Sequence, residues 1–218
     1  MSEAAPVDGF REPQQARSRE KLQRVLQAAE DVLATAGFED FTMAAVAARA
    51  SVSVGAIYRR FAGKEQLIAA VQDRILTQVE GRLSARLSTA DGCLAGVIEV
   101  YSHVLAEAMG DGGRFFPFLL HAGPQSEAEE RGRRALAETR RLLLEAAEPH
   151  RAEILRSDPG MALDVIARTI VGACIHAVLR PDKLPGRPAW KQFADQLSDM
   201  AVAYLMTPDR WRGTRLPT

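Results

Sequence analysis

The sequence predicts an all-α protein: an N-terminal three-helix, helix-turn-helix head followed by a larger C-terminal helical domain. Three observations carry this. Apolar residues recur at spacings of three and four along most of the chain. No run alternates apolar and polar residues well enough to make a strand. Between Thr42 and Phe61, two short helical patterns flank the break Ser51-Val52-Ser53, which is the layout of a helix-turn-helix.

Residues 1–15 read as a polar tail with Pro6, Gly9 and Pro13, and nothing in them resembles an apolar signal sequence. From Ala16 the pattern is helical, with Leu22, Val25, Leu26, Ala29, Val32 and Leu33 on one face and Gly37 as the left-handed end. Thr42 is a suitable N-cap for a helix over 43–50, whose core face is Met43, Val46, Ala47 and Ala50. Ala45 excludes a reciprocal capping box there. Ser53 can cap a third helix over 54–61, with Ile57 and Phe61 turned to the core.

Ala62-Gly63 breaks the chain, and Lys64-Glu65 opens a long fourth helix with Leu67, Ile68, Val71, Ile75, Leu76 and Val79 on its apolar side. Further helices are expected near 93–109, 126–148, 159–180 and 188–206. Asp158-Pro159 is a strong start signal, an N-cap before proline at the first helical position. The expected divisions are a tail at 1–15, a head at 16–62, a body at 63–207 and a tail at 208–218.

A recognition helix must enter a major groove about 12 Å wide, so its outer side chains should be small or long enough to reach base edges. Ser53, Val54, Gly55 and Ala56 are small, and Tyr58 and Arg59 follow on the groove side. The chain has no net charge, yet residues 11–64 hold nine basic side chains against six acidic, an excess of +3. Phosphate contacts supply much of the affinity for DNA, so this local excess suits a small reading module. Arg17 and Arg19 precede the first apolar stripe and fit either a minor-groove arm or an ordinary exposed first turn.

In this frame Phe41-Thr42, Val46-Ala47, Ala50-Ser51-Val52-Ser53, Gly55, Ile57-Tyr58, Phe61 and Lys64-Glu65 with Leu67 resemble the N-terminal signature of the TetR family of bacterial transcriptional regulators. The resemblance implies phosphate contacts from Thr42, Tyr58 and Lys64. It also implies a homodimer on a palindromic operator, repression, release by a small-molecule effector, and dimerisation through the last two helices. Ser51 stands where the family usually has glycine, so a strained or differently wound turn is expected.

In the body, Tyr101, Arg114, Phe115, Phe118 and His121 combine aromatic surface with a few polar groups, as an effector pocket requires, with His103, Cys174 and His176 as further candidates. For dimerisation, Thr169, Ala173 and Ala177 form a stripe of small residues beside Ile166, and Phe193, Leu197 and Ala201 lie on one broad apolar face. Both helices could instead simply close the core of one chain.

Two cysteines, Cys93 and Cys174, are too few for a disulfide framework, and a reducing cytoplasm is the plain setting. No metal, cofactor or membrane partner is expected: the histidines lack ligand spacing, and the most apolar run, 161–179, carries Asp164, Arg168 and His176. Two other classes remain open at this level. One is a small helical enzyme using the Cys174/His176 region, and the other is a helical adaptor whose basic head binds acidic proteins.

Overall fold

The computed structural model describes residues 14–37, 40–90, 92–112, 127–179 and 186–209. Among them there is no strand. The helices are α1 (Gln14–Ala36), α2 (Met43–Ala50), α3 (Val54–Tyr58), α4 (Lys64–Leu87) and α5 (Leu94–Gly112). Then come α6 (Glu127–Ala147), a 3₁₀ helix (Glu148–Glu153), α7 (Pro159–Val178) and α8 (Gly186–Leu205). The chain forms two compact units that divide between Val71 and Gln72, inside α4.

The first unit, the head, is built as the periodicity requires. Val25, Leu26, Ala29, Val32 and Leu33 of α1 are buried together with Phe41, Met43, Val46, Ala47, Ala50, Ile57 and Phe61. Leu67 and Val71, on the first turns of α4, are buried in the same unit. Each such aliphatic or aromatic side chain contributes roughly 1.5–3 kcal/mol by leaving water.

Both expected caps form: the Thr42 hydroxyl accepts from the Ala45 N–H at 3.1 Å, and the Ser53 hydroxyl accepts from Ala56 at 3.2 Å. α3 is shorter than its pattern suggested. After Tyr58 the chain tightens, with the Arg60 and Phe61 N–H groups both donating to the Ile57 carbonyl at 2.8 and 3.0 Å. This tight turn still delivers Phe61 to the core.

The turn between α2 and α3 rests on Ser51, which adopts the left-handed conformation at φ 53°, ψ 47°. Its N–H and that of Val52 cap the end of α2 on the Ala48 and Ala47 carbonyls. A side chain at this dihedral is strained where glycine is not. Ser51→Gly should therefore stabilise the head by up to about 1 kcal/mol, after glycine's greater freedom in the unfolded chain is subtracted. A thermal melt that does not rise would mean the serine is strain-free here.

The second unit, the body, closes around α5. Tyr101, Val104, Leu105 and Ile98 pack with Leu83 of α4, Leu143 of α6, Ile166 and Ile170 of α7, and Ala194, Ala201 and Leu205 of α8. Gly110 permits the close approach of α5 to α8, since a Cβ there would sit 2.8 Å from the Trp190 ring. Trp190 in turn meets Phe193 edge-on at 6.0 Å.

α7 begins as expected, with Asp158 accepting from the Met161 N–H at 3.0 Å ahead of Pro159. It is long and apolar enough to cross a membrane by composition, but its inner side (Ala162, Leu163, Ile166, Ala167, Ile170, Cys174) is buried in the body's core. Asp164 on its flank holds Arg140 and Arg168, and both guanidinium groups lower the Asp164 pKa, Arg168 more strongly.

Candidate nucleic-acid interface and body cavity

On α3, Val54 and Tyr58 are four residues apart and stay exposed at 39% and 52%, while Ile57 is buried behind them. Helix geometry puts them on one outward face. Ser53, Gly55 and Arg59 are also exposed and Ala56 is half-buried. The Arg59 guanidinium lies alongside Gly55, 4.0 Å from where a Cβ would be. Thr42 is exposed at the start of α2, so its hydroxyl can both cap and meet a ligand. Lys64, the first residue of α4, holds its ammonium 5.7 Å from the centre of the buried Phe41 ring, which limits where that charge can sit.

Two basic residues of the head are engaged inside it. Arg49 bonds Asp31 of α1 through Nε and Nη2 at 3.2 and 3.1 Å. Arg60 bonds the Ser18 hydroxyl and, at 3.4 Å, the Ser18 carbonyl, so it ties the end of α3 to the first turns of α1. Sequence counting could not separate these from outward cations. Arg19 is exposed on α1, and the Arg17 side chain lies outside the described residues.

The body contains a cavity of about 240 Å³. Gln72, Leu76 and Val79 of α4 form one wall, and Leu105 and Met109 of α5 a second. Leu136 and Thr139 of α6 and Val171 and Ile175 of α7 complete it. Arg131 fastens α6 along α4 beside the cavity: its guanidinium meets Asp73 at 2.6 Å, Glu80 at 2.7 Å and the Thr77 hydroxyl at 3.2 Å. Asp73, Thr77 and Glu80 follow at spacings of four and three, one stripe of α4.

The residues that the sequence suggested for a pocket fall as follows. Arg114, Phe115, Phe118 and His121 lie outside the described residues. Tyr101 is fully buried behind the cavity wall: its hydroxyl makes no aligned hydrogen bond although Thr139 interacts with it, and burial raises its pKa to about 12. His103 faces the other side, where its Nε2 lies 2.9 Å from Asp195 without hydrogen-bond alignment. There it lines a more polar groove with Glu107, Trp190 and Lys191.

Cys174 is buried, and burial pushes its thiol up to about 12, far from the thiolate that a nucleophile needs. His176 is exposed two residues further on. A two-residue step turns a helix by roughly 200°, so the two side chains point apart and form no dyad. Among the described residues no group of three or more His, Cys, Asp and Glu side chains could hold a metal.

The residues expected at a dimer interface divide between the inside and the outside of the body. Ile166, Leu197 and Ala201 are 2%, 7% and 0% exposed and belong to the body's own core. Ala173, Ala177 and Phe193 are half-buried against that core. Only Thr169 is fully outward, with its hydroxyl donating to the Val165 carbonyl at 2.7 Å. The outward face of α7 is instead Met161, Val165, Thr169, Gly172 and His176, and Met200 is its exposed counterpart on α8.

Residues 25–71 match the family model described as bacterial regulatory proteins, tetR family. No curated protein has a sequence that matches this chain. Among solved structures, a TetR transcription regulator from Haloarcula marismortui superposes with a TM-score of 0.70 at 18% identity, over 86% of this chain and 97% of that one. A transcriptional regulator from Rhodococcus sp. RHA1 gives 0.65 at 21% identity, over 85% and 97%. RolR in complex with the ligand resorcinol gives 0.54 at 19% identity, over 94% and 99%. At these identities the likeness is one of fold.

Proposed function

We propose that this chain, which belongs through its head to the tetR family of bacterial regulatory proteins, is a repressor that binds a palindromic operator as a homodimer and leaves it when a small molecule occupies the body. The observation that carries the reading is the outward face of the helix-turn-helix. Val54 and Tyr58 stand exposed on α3 and Arg59 just past its end, and the Ser53 and Thr42 caps fix the two helix starts. Small residues at the start of α3 let the backbone approach base edges, Arg59 can reach guanine or phosphate, and Tyr58, Thr42 and Lys64 can bond phosphates. Two such heads related by a two-fold axis would read half-sites about one helical turn apart.

The apolar cavity supplies the second half. Its walls include Gln72, Leu76 and Val79 of α4, the helix that starts at Lys64. A ligand that prefers the α4 position of the unbound state would shift the population away from the operator-bound one, and a tenfold shift needs about 1.4 kcal/mol of preference. That a protein of this fold, RolR, binds resorcinol supports the cavity as an effector site. The work is done in the cytoplasm, beside the DNA, and the reading assigns the chain no catalytic step.

The test is selection of bound duplexes from a random library by the purified protein, followed by fluorescence anisotropy over a salt series. The expected result is an inverted repeat with affinity that falls steeply as salt rises, and a much weaker affinity for scrambled DNA. Binding to acidic proteins with no duplex preference would favour the adaptor reading instead.

A further inference from the structure

We infer that the cavity between α4, α5, α6 and α7 takes a small, uncharged, largely apolar alcohol or phenol, an inference that rests on reading the cavity as the effector site. The body of such a ligand is set by the apolar side chains of the walls, which are aliphatic apart from the Met109 thioether, so its bulk must be apolar too. The polar atoms set the rest.

Gln72 lines the cavity at 2% exposure, and its Nε2 donates to the Ala128 carbonyl at 3.1 Å. A carbonyl only accepts, so this bond fixes which end of the amide is nitrogen. The Gln72 Oε1 is thereby left as an acceptor with no hydrogen bond among the described residues. Thr139, also buried in the wall, gives its single hydroxyl hydrogen to the Leu136 carbonyl at 3.1 Å, so it too offers only lone pairs. Tyr101 interacts with the same hydroxyl from behind, which leaves Gln72 Oε1 as the principal free acceptor.

An acceptor on the wall calls for a donor on the ligand. A hydroxyl supplies one donated hydrogen and can still accept the remaining N–H of the Gln72 amide. A carboxylate supplies no donor, and among the described residues the buried wall holds no cation to pair with it. The charged lining residues are Glu129 and Arg133, both exposed, and Arg133 is already bound to Glu130. Taking an unpaired carboxylate out of water is far costlier than burying a hydroxyl that finds a partner.

The experiment is calorimetric titration of the full chain with three probes of matched body: para-propylphenol, its methyl ether para-propylanisole, and para-propylbenzoate. The phenol is expected to bind about tenfold more tightly than the ether, the order of one hydrogen bond, and the benzoate most weakly of the three. Gln72→Met should remove the phenol's advantage while leaving the ether's affinity unchanged. Thr139→Val should cost the phenol less.

Equal affinity for phenol and ether, tightest binding of the benzoate, or binding of none of the three would each overturn the proposal. The wild-type ranking decides it even if Gln72→Met does not fold. The effector reading is scored separately, by adding para-propylphenol to the protein–operator complex. If the phenol binds with the expected ranking but leaves operator affinity unchanged, the ligand class stands and the effector reading falls.

Discussion

Gly172→Glu should leave each chain folded, convert the dimer into monomers, and lower operator affinity about a hundredfold or more. The fold should survive because a Cβ at Gly172 meets nothing within 4 Å, and because Glu favours a helix over Gly by about 0.5–1 kcal/mol. In the proposed homodimer the new side chain would meet the partner chain. Met161 and Val165 sit on the same outward face of α7, 60% and 38% exposed, with Met200 exposed on α8. Apolar surface left outward on two adjacent helices marks an interaction face, and a glycine within it lets a second helix come close.

Around a two-fold axis each residue faces a copy of its own neighbourhood, so two introduced carboxylates would also be brought near each other. Losing the dimer removes the linkage of two heads on one operator, which is worth roughly 10²–10⁴ in affinity. Sedimentation gives the assembly state and anisotropy gives the affinity. A folded Gly172→Glu that still sediments as a dimer would move the interface off this face of α7. Ala173, half-buried against the core, is a poorer site for the same test, because a charge there would damage the chain itself.

The head was legible in the sequence because its caps, its turn and its core spacing are local. Thr42 and Ser53 cap within three residues, Ile57 and Phe61 are four apart, and the αL position falls at the break after Ala50. The body was less so, because its decisive contacts join distant segments. The start of α5 is capped by Glu153, whose carboxylate accepts from the Leu94 N–H across 59 positions, and no local cap residue announces it.

The cavity wall is written mainly in Leu, Val and Ile, which look like core until their neighbours are known. Its one telling polar residue, Gln72, sits in an otherwise ordinary amphipathic helix. On α7 nearly every side is apolar, so periodicity could not choose a phase. The stripe of Thr169, Ala173 and Ala177 runs from the outward face at Thr169 to the half-buried flank at Ala173 and Ala177, a fraction of a turn from Val165 and Gly172. The engaged arginines, Arg49 and Arg60, were invisible for the same reason: their partners Asp31 and Ser18 are 18 and 42 positions away.

Arg59→Ala should be the most damaging substitution on α3. A direct base contact is worth about 1–3 kcal/mol, and a homodimer makes it twice, so the operator complex should lose about 2–6 kcal/mol. The loss should be largest for the preferred operator and small for scrambled DNA, narrowing the gap between them. Folding should be unaffected, since Arg59 is exposed and makes no side-chain hydrogen bond within the head.

Two companion substitutions separate reading from positioning. If Lys64 meets phosphate as proposed, Lys64→Gln should weaken all duplexes alike and reduce the salt slope by about 0.9 per charge. Its cost to stability includes the roughly 0.5–1 kcal/mol of the cation–π contact with Phe41. Tyr58→Phe should also weaken all duplexes alike but leave the slope unchanged, because it deletes a hydrogen bond and no charge. Anisotropy on operator and scrambled duplexes at several salt concentrations distinguishes the three patterns. If Arg59→Ala instead weakens both duplexes equally and lowers the slope, Arg59 binds phosphate, and sequence must be read by the small residues at the start of α3.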